Sequence, residues 1–220
     1  MYNLLLKDIL IQKKVLTLGS IYILVMAFSF QSTGEGMFIS GIVAFVYMLI
    51  QTACAYDDKN KSEIMLNSLP LTRRCIVTER YLSIFIFMAI GIIEYGIIRF
   101  IVNNLVFLPI EMFPITLEGL LGAIFPIALI SSIYFPVLFK VGYVKAKMIN
   151  FLLFFGVFFA IIPIGYRLKN SEYDPMFQNI IDFVNTRSQI ELAGGMLLII
   201  CIMLGISYML SVHFYKNRDF

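Results

Sequence analysis

The sequence predicts an all-α membrane protein. It has six transmembrane helices with both termini cytoplasmic, an N-terminal interfacial helix, and a short cytoplasmic helix between the second and third spans. Three observations predict it. First, 60% of the 220 residues are hydrophobic and only 14% charged, at a mean hydropathy of +0.88, whereas a soluble domain needs about a quarter charged residues to cover its surface. Second, the apolar residues gather into six stretches, each near the about 20 residues that a helix needs to cross the hydrocarbon layer. Third, the bases alternate along the chain, crowding at the termini and in every second connection, which is how cytoplasmic segments are marked. Backbone amides find no water in lipid, so each stretch must bond to itself as a helix. Six spans leave only short connections, so residues 1–220 form a single transmembrane domain with no room for a nucleotide-binding, nucleic-acid-binding or secreted catalytic module.

Met1 to Lys14 comes first. Leu5, Leu6, Ile9 and Leu10 share one arc with Asn3, Lys7 and Lys14 opposite, although Leu4, Ile11 and Lys13 break the pattern. A basic amphipathic helix of this kind lies in the membrane interface, against lipid. Val15 to Phe30 is the first span. Its end, Ala27-Phe28-Ser29, resembles a signal-peptidase site, but an uncleaved first helix is the ordinary case in a multispanning chain and the helix is read as retained. Gly34-Glu35-Gly36 makes a tight outer turn into the second span, Met37 to Tyr56.

The loop Asp57 to Arg80 follows. Asn60 with Glu63 three residues on reads as an N-cap with an acidic third residue, opening a short helix through Ile64, Met65 and Leu66. Pro70 ends it by Leu69. Thr72 caps a second helix that runs through Arg73, Arg74, Ile76 and Val77 into the third span, Tyr81 to Val102. A short helix held below the membrane by two spans is a rigid lever; read from charge alone, the same loop is a set of bases touching anionic headgroups.

Glu94 and Arg99 lie within the third span. Glu94 is either an interhelical hydrogen-bonding group or part of a substrate path, and Arg99 near the outer end is placed to snorkel. The fourth and fifth spans are Leu117 to Leu138 and Met148 to Tyr166, with Pro126, Pro136 and Pro163 able to kink them. Phe151, Phe154, Phe155, Phe158 and Phe159 recur along the fifth at helical spacing as one aromatic stripe, either a lipid-facing or packing surface or a greasy wall along which a substrate slides. Residues 167–190 form an outer amphipathic segment. Asp174 and Pro175 open a helix there whose apolar face carries Phe177, Ile180, Ile181 and Val184, as a lid or a passive interfacial helix. Leu192 to His213 is the sixth span.

The charge count fixes the orientation. Lys7, Lys13, Lys14, Lys59, Lys61, Arg73, Arg74, Arg80, Lys140, Lys145, Lys147, Lys216 and Arg218 fall on one side, against Arg167, Lys169 and Arg187 on the other. The richer side is cytoplasmic. Cys54, Cys75 and Cys201 have no paired spacing and read as small apolar packers. His213 is the only histidine, which leaves no histidine-based metal centre in one chain. A Trp-free composition rich in Ile, Phe, Asn and Lys is that of an AT-rich bacterial genome, so the expected location is the bacterial cytoplasmic membrane, crossed several times.

The run Leu66-Asn67-Ser68-Leu69-Pro70-Leu71-Thr72-Arg73-Arg74, followed by Ile76-Val77 and Tyr81-Leu82, resembles the cytoplasmic loop of ABC-2 type transporter permeases. The ending Tyr215-Lys216-Asn217-Arg218-Asp219-Phe220 is similar to that family's aromatic, basic and acidic terminus. In size and texture the chain is most similar to short permeases of peptide exporters, such as those that export phenol-soluble modulins. The resemblance implies a membrane subunit that pairs with a second copy or with a paralogous permease, and with cytoplasmic ABC ATPase subunits that hold ATP and magnesium. It implies too that Ile64, Met65 and Leu66 dock into the ATPase, that Arg73 and Arg74 meet its acidic rim, and that the outer segment is a lid. No phosphate-binding loop of the pattern G-x-x-x-x-G-K-[ST] occurs in the chain, so no enzymatic activity of its own is expected. The few polar groups in the spans point to amphipathic or apolar substrates, peptides foremost, with Glu94 and the Phe151, Phe155 and Phe158 wall along the path. A non-pumping membrane immunity or sensory protein of the same fold is the alternative.

Overall fold

The computed structural model describes residues 2–62, 65, 72–104, 112–169 and 186–218, with side chains at all of these except 2, 3, 32, 158 and 160–169. Seven α-helices and no strand occur among the described residues: α1 (Tyr2–Ile11), α2 (Lys13–Ser29), α3 (Glu35–Lys59), α4 (Arg73–Asn104), α5 (Leu117–Val141), α6 (Tyr143–Lys169) and α7 (Gln189–Lys216). Each of the six apolar stretches lies in one of the helices α2 to α7, except that Phe30 of the first is the C-cap of α2. Four helices, α3, α4, α5 and α7, are long and apolar enough to cross a membrane, and the α1–α2 pair makes a fifth if its 61° bend is one broken span. The fold is thus all-helical and multi-spanning as expected, with four to five spans met by length and composition.

Local sequence explains the helix ends. The bend between α1 and α2 falls at Gln12, whose side chain is buried and donates to the Leu49 carbonyl of α3 at 2.9 Å. Thr116 and Ser188 cap α5 and α7 by accepting from the backbone N–H groups of Gly119 and Glu191. Gly142 turns α5 into α6 at φ 82°, a left-handed conformation that favours glycine. Two boundaries differ from the sequence expectation. The second span continues three residues past Tyr56, and Asn60 closes α3 with its N–H on the Tyr56 carbonyl. The helix of the fifth expected span, α6, starts at Tyr143, five residues before Met148, because nothing after Gly142 interrupts it.

Helix α3 is the axis of the bundle. It packs against α1, α2, α4, α5 and α6, and its side chains Ile42, Phe45, Val46 and Leu49 are fully enclosed. In lipid there is no hydrophobic drive between helices, so close backbone approach and polar contacts hold the bundle together. Both occur. A methyl group at Gly19 of α2 or Gly91 of α4 would overlap the Phe45 ring, so these two glycines let α2 and α4 close around it. On the other side α5 packs along α7. Pro136 has no N–H to give the Ser132 carbonyl, and Ser207 of α7 donates to that carbonyl at 2.7 Å. The Tyr81 hydroxyl of α4 pairs with Ser207 at 2.6 Å and Ser211 at 2.8 Å, which ties three helices at one seam.

Candidate functional site

One end of the bundle carries α1, the close of α3, the start of α4, the α5–α6 corner and the C-terminal turn of α7. It is also the end where most of the bases lie. Asp57 sits in the last turn of α3 and Arg80 two turns into α4, so the two residues are the stems of the 57–80 loop. Arg80 pairs with Asp57 through Nη2 and with Asp8 of α1 through Nη1, the latter at 2.9 Å. Lys7 reaches Asp57 at 2.9 Å and Asp8 at 3.2 Å, and Glu79 lies 3.6 Å from Arg80. Asp8, Glu79, Arg80 and Asp57 are all more than nine-tenths buried. A guanidinium offers a planar fork of donors, which lets one side chain serve two carboxylates from two different helices. Burial makes the set interdependent, since an unpaired charge left here would be costly.

A second tie joins the loop to α7. Thr72 Oγ1 accepts from the Cys75 N–H, so the expected cap is present at the start of α4. Arg73 then turns its Nη1 onto the carbonyls of Tyr215, Lys216 and Arg218, at 3.1, 2.7 and 3.2 Å. The first two are carbonyls that the end of α7 leaves without intrahelical partners, and the third belongs to the residue just past its C-cap. Arg74, its neighbour, is exposed, as is Met65. Ile64 and Leu66 lie outside the described residues, as do Phe177, Ile180, Ile181 and Val184 of the outer segment.

Between all of these elements except α1 lies a cavity of about 280 Å³, whose wall includes Cys54, Asp57, Asp58, Lys61, Arg80, Tyr143 and Tyr215. Asp57 and Arg80 are committed to the ion-pair set. Asp58 and Lys61 stand at the rim, both exposed, one of each sign.

The candidates within the spans are separate from this end. Glu94 accepts from Ser20 of α2 at 2.8 Å, an interhelical hydrogen bond, and is half-buried. Arg99 donates from Nε to the Met112 carbonyl at 3.3 Å, beside Tyr95, whose hydroxyl donates to the Phe113 carbonyl. The two residues therefore serve different helix connections. The aromatic stripe divides: Phe154 is buried and stacks on Tyr47 at 4.1 Å, while Phe151, Phe155 and Phe159 form an outward column with ring spacings of 4.6 and 6.3 Å. The Phe158 side chain is outside the description.

Sequence reasoning passed over Lys7, Asp8, Asp57 and Arg80 as a unit. The available signal was two buried-type acids, Asp8 and Asp57, standing among bases at the ends of apolar helices. No curated protein and no solved structure matches the chain. One family model does, that of the ABC-2 family transporter proteins, over residues 3–216. Four to five spans, a basic end and a loop stapled to three helices thus belong to a transporter subunit in the membrane, and the chain is a member of the ABC-2 transporter permease family.

Proposed function

We propose that the chain is the permease subunit of an ATP-driven exporter in a bacterial cytoplasmic membrane. It crosses the membrane six times with both termini inside, and moves amphipathic or apolar molecules, peptides foremost, out of the cytoplasm or inner leaflet. The family normally works with an ABC ATPase. On this reading the 57–80 loop receives that ATPase, through Ile64, Met65 and Leu66 with Arg74 at the edge, and two permeases form the pathway. One observation carries the reading: Asp57 and Arg80, the stems of the loop, are bonded to each other and to Asp8 of α1, so a push on the loop moves α1, α3 and α4 together. A flexible headgroup-binding loop would need no such staple. The substrate class rests on the scarcity of polar side chains in the spans, because a hydrophilic solute would need compensating donors and acceptors to cross.

The test is co-purification of the ATPase followed by reconstitution in proteoliposomes. Hydrolysis is expected to rise with an amphipathic helical peptide and not with sugars or small ions. Stimulation by polar solutes alone would remove the substrate class, and failure to retain any ATPase would remove the exporter reading.

A further inference from the structure

The cavity at the basic end has a composition that docking an ATPase does not require. We propose that it binds the head of an inner-leaflet lipid carrying both an ammonium and a phosphate. Its volume, about 280 Å³, is at the lower edge of small-molecule pockets, about 300 to 1,000 Å³. That suits a headgroup and excludes a whole lipid or a folded peptide segment.

The wall supplies one group for each part of such a head. Arg80 and Asp57 neutralise each other within the ion-pair set, so neither leaves a net charge facing the cavity. At the rim, Asp58 and Lys61 make no ion pair among the described residues and offer one carboxylate and one ammonium. Phe139, Tyr143 and Tyr215 add rings against which a ligand ammonium can rest. The deep side is polar and under-used. Cys54 lines the cavity, and the fully buried Tyr134 hydroxyl beside it has only that thiol, a weak partner.

The mouth explains why the occupant comes from the membrane. Tyr143 is followed by Val144 and Met148, and preceded by Val141, all exposed, with Val144 and Met148 at 70% and 72%. Lys145 and Lys147 are exposed on the same stretch, so Val141, Val144 and Met148 would meet the acyl chains of a lipid while the two lysines meet headgroup phosphates. A soluble zwitterion would gain nothing from these apolar side chains.

The experiment uses the full chain, without ATPase, so its outcome is independent of whether the protein pumps. Native mass spectrometry from mixed micelles of phosphatidylethanolamine and phosphatidylglycerol should show preferential retention of phosphatidylethanolamine. Asp58→Asn and Lys61→Gln should each weaken that retention about tenfold or more, the size of one charge-assisted hydrogen bond, whereas Arg74→Gln should not. Asp58 and Lys61 are exposed, so thermal unfolding should be unchanged and a folding defect would be visible. In a chain with Cys75→Ser and Cys201→Ser, vesicles of phosphatidylethanolamine should slow maleimide labelling of Cys54. Equal retention of both lipids, or indifference to the Asp58 and Lys61 changes, overturns the proposal. Protection of Cys54 by a lysine-bearing amphipathic peptide but not by lipid also overturns it, and gives the cavity to the transported substrate.

Discussion

Arg80 is the residue on which the basic end depends most. Its guanidinium is held by Asp8 and Asp57 in a setting where all three are more than nine-tenths buried. Removing it leaves three buried acids, Asp8, Asp57 and Glu79, with only Lys7 near them, and breaking such a buried pair costs about 3–5 kcal/mol. Arg80→Gln should therefore lower the thermal midpoint of the detergent-solubilised chain sharply. Lys7→Gln should do much less, because the Lys7 side chain is a quarter exposed and already shares its charge with water. The triple change Asp8→Asn, Asp57→Asn, Arg80→Gln should recover part of the loss, since it also removes the two carboxylates that Arg80 holds and leaves only Glu79 and the partly exposed Lys7. If the single and triple variants unfold at the same temperature, the charges do not act as a set. The pairing itself was not legible in the sequence. Asp57 and Arg80 were visible only as loop boundaries, and Lys7 and Asp8 lie 50 and 72 residues from their partners. Helical periodicity has no way to report such distances.

At the scale of elements, the helices themselves were legible, because in lipid an apolar run of spanning length has only one way to satisfy its backbone. What the pattern could not say is which side of each helix meets which neighbour. The five phenylalanines of α6 read as one stripe by spacing, yet Phe154 turns inward to Tyr47 while Phe151, Phe155 and Phe159 face out. The prolines show the same limit. Pro136 was visible as a kink, but its consequence lies on another helix, where Ser207 takes up the carbonyl of Ser132. This yields a prediction at the α5–α7 seam. Ser207→Ala should cost about 1–2 kcal/mol, the upper range for hydrogen bonds between helices in a membrane, because it also strips a partner from Tyr81. In a Pro136→Ala background the Ser132 carbonyl regains a helical N–H, so the same serine change should cost less. A double-mutant cycle on unfolding free energy measures the difference, and strict additivity would show that the proline and the serine are not linked.

At the scale of the whole molecule, two consequences can be separated by experiment. The first is orientation. With native cysteines replaced, a cysteine at Asn217 should react with an impermeant maleimide only after the membrane is opened, while one at Gln31, in the exposed turn at the opposite end, should react in intact cells. The reverse result would invert the charge-based topology. The second concerns how a push on the loop spreads. The loop is tied to α1 and α3 by the ion-pair set and to α7 by Arg73, so on the proposed reading binding an ATPase and responding to it would depend on different residues. Leu66→Asp should abolish ATPase co-purification while leaving insertion intact, because it forces a charge into an apolar contact. Arg73→Ala should leave co-purification largely intact but reduce peptide-stimulated hydrolysis, because the carbonyls of Tyr215, Lys216 and Arg218 lose the group that links them to α4. Arg74→Ala should show the opposite profile, weakening the complex with no effect on the unfolding temperature of the isolated chain, since its side chain is exposed. If Arg73 and Arg74 behave alike, with both losing the ATPase and neither altering stability, then both bases belong to the partner's surface, and α7 moves with the loop by packing alone.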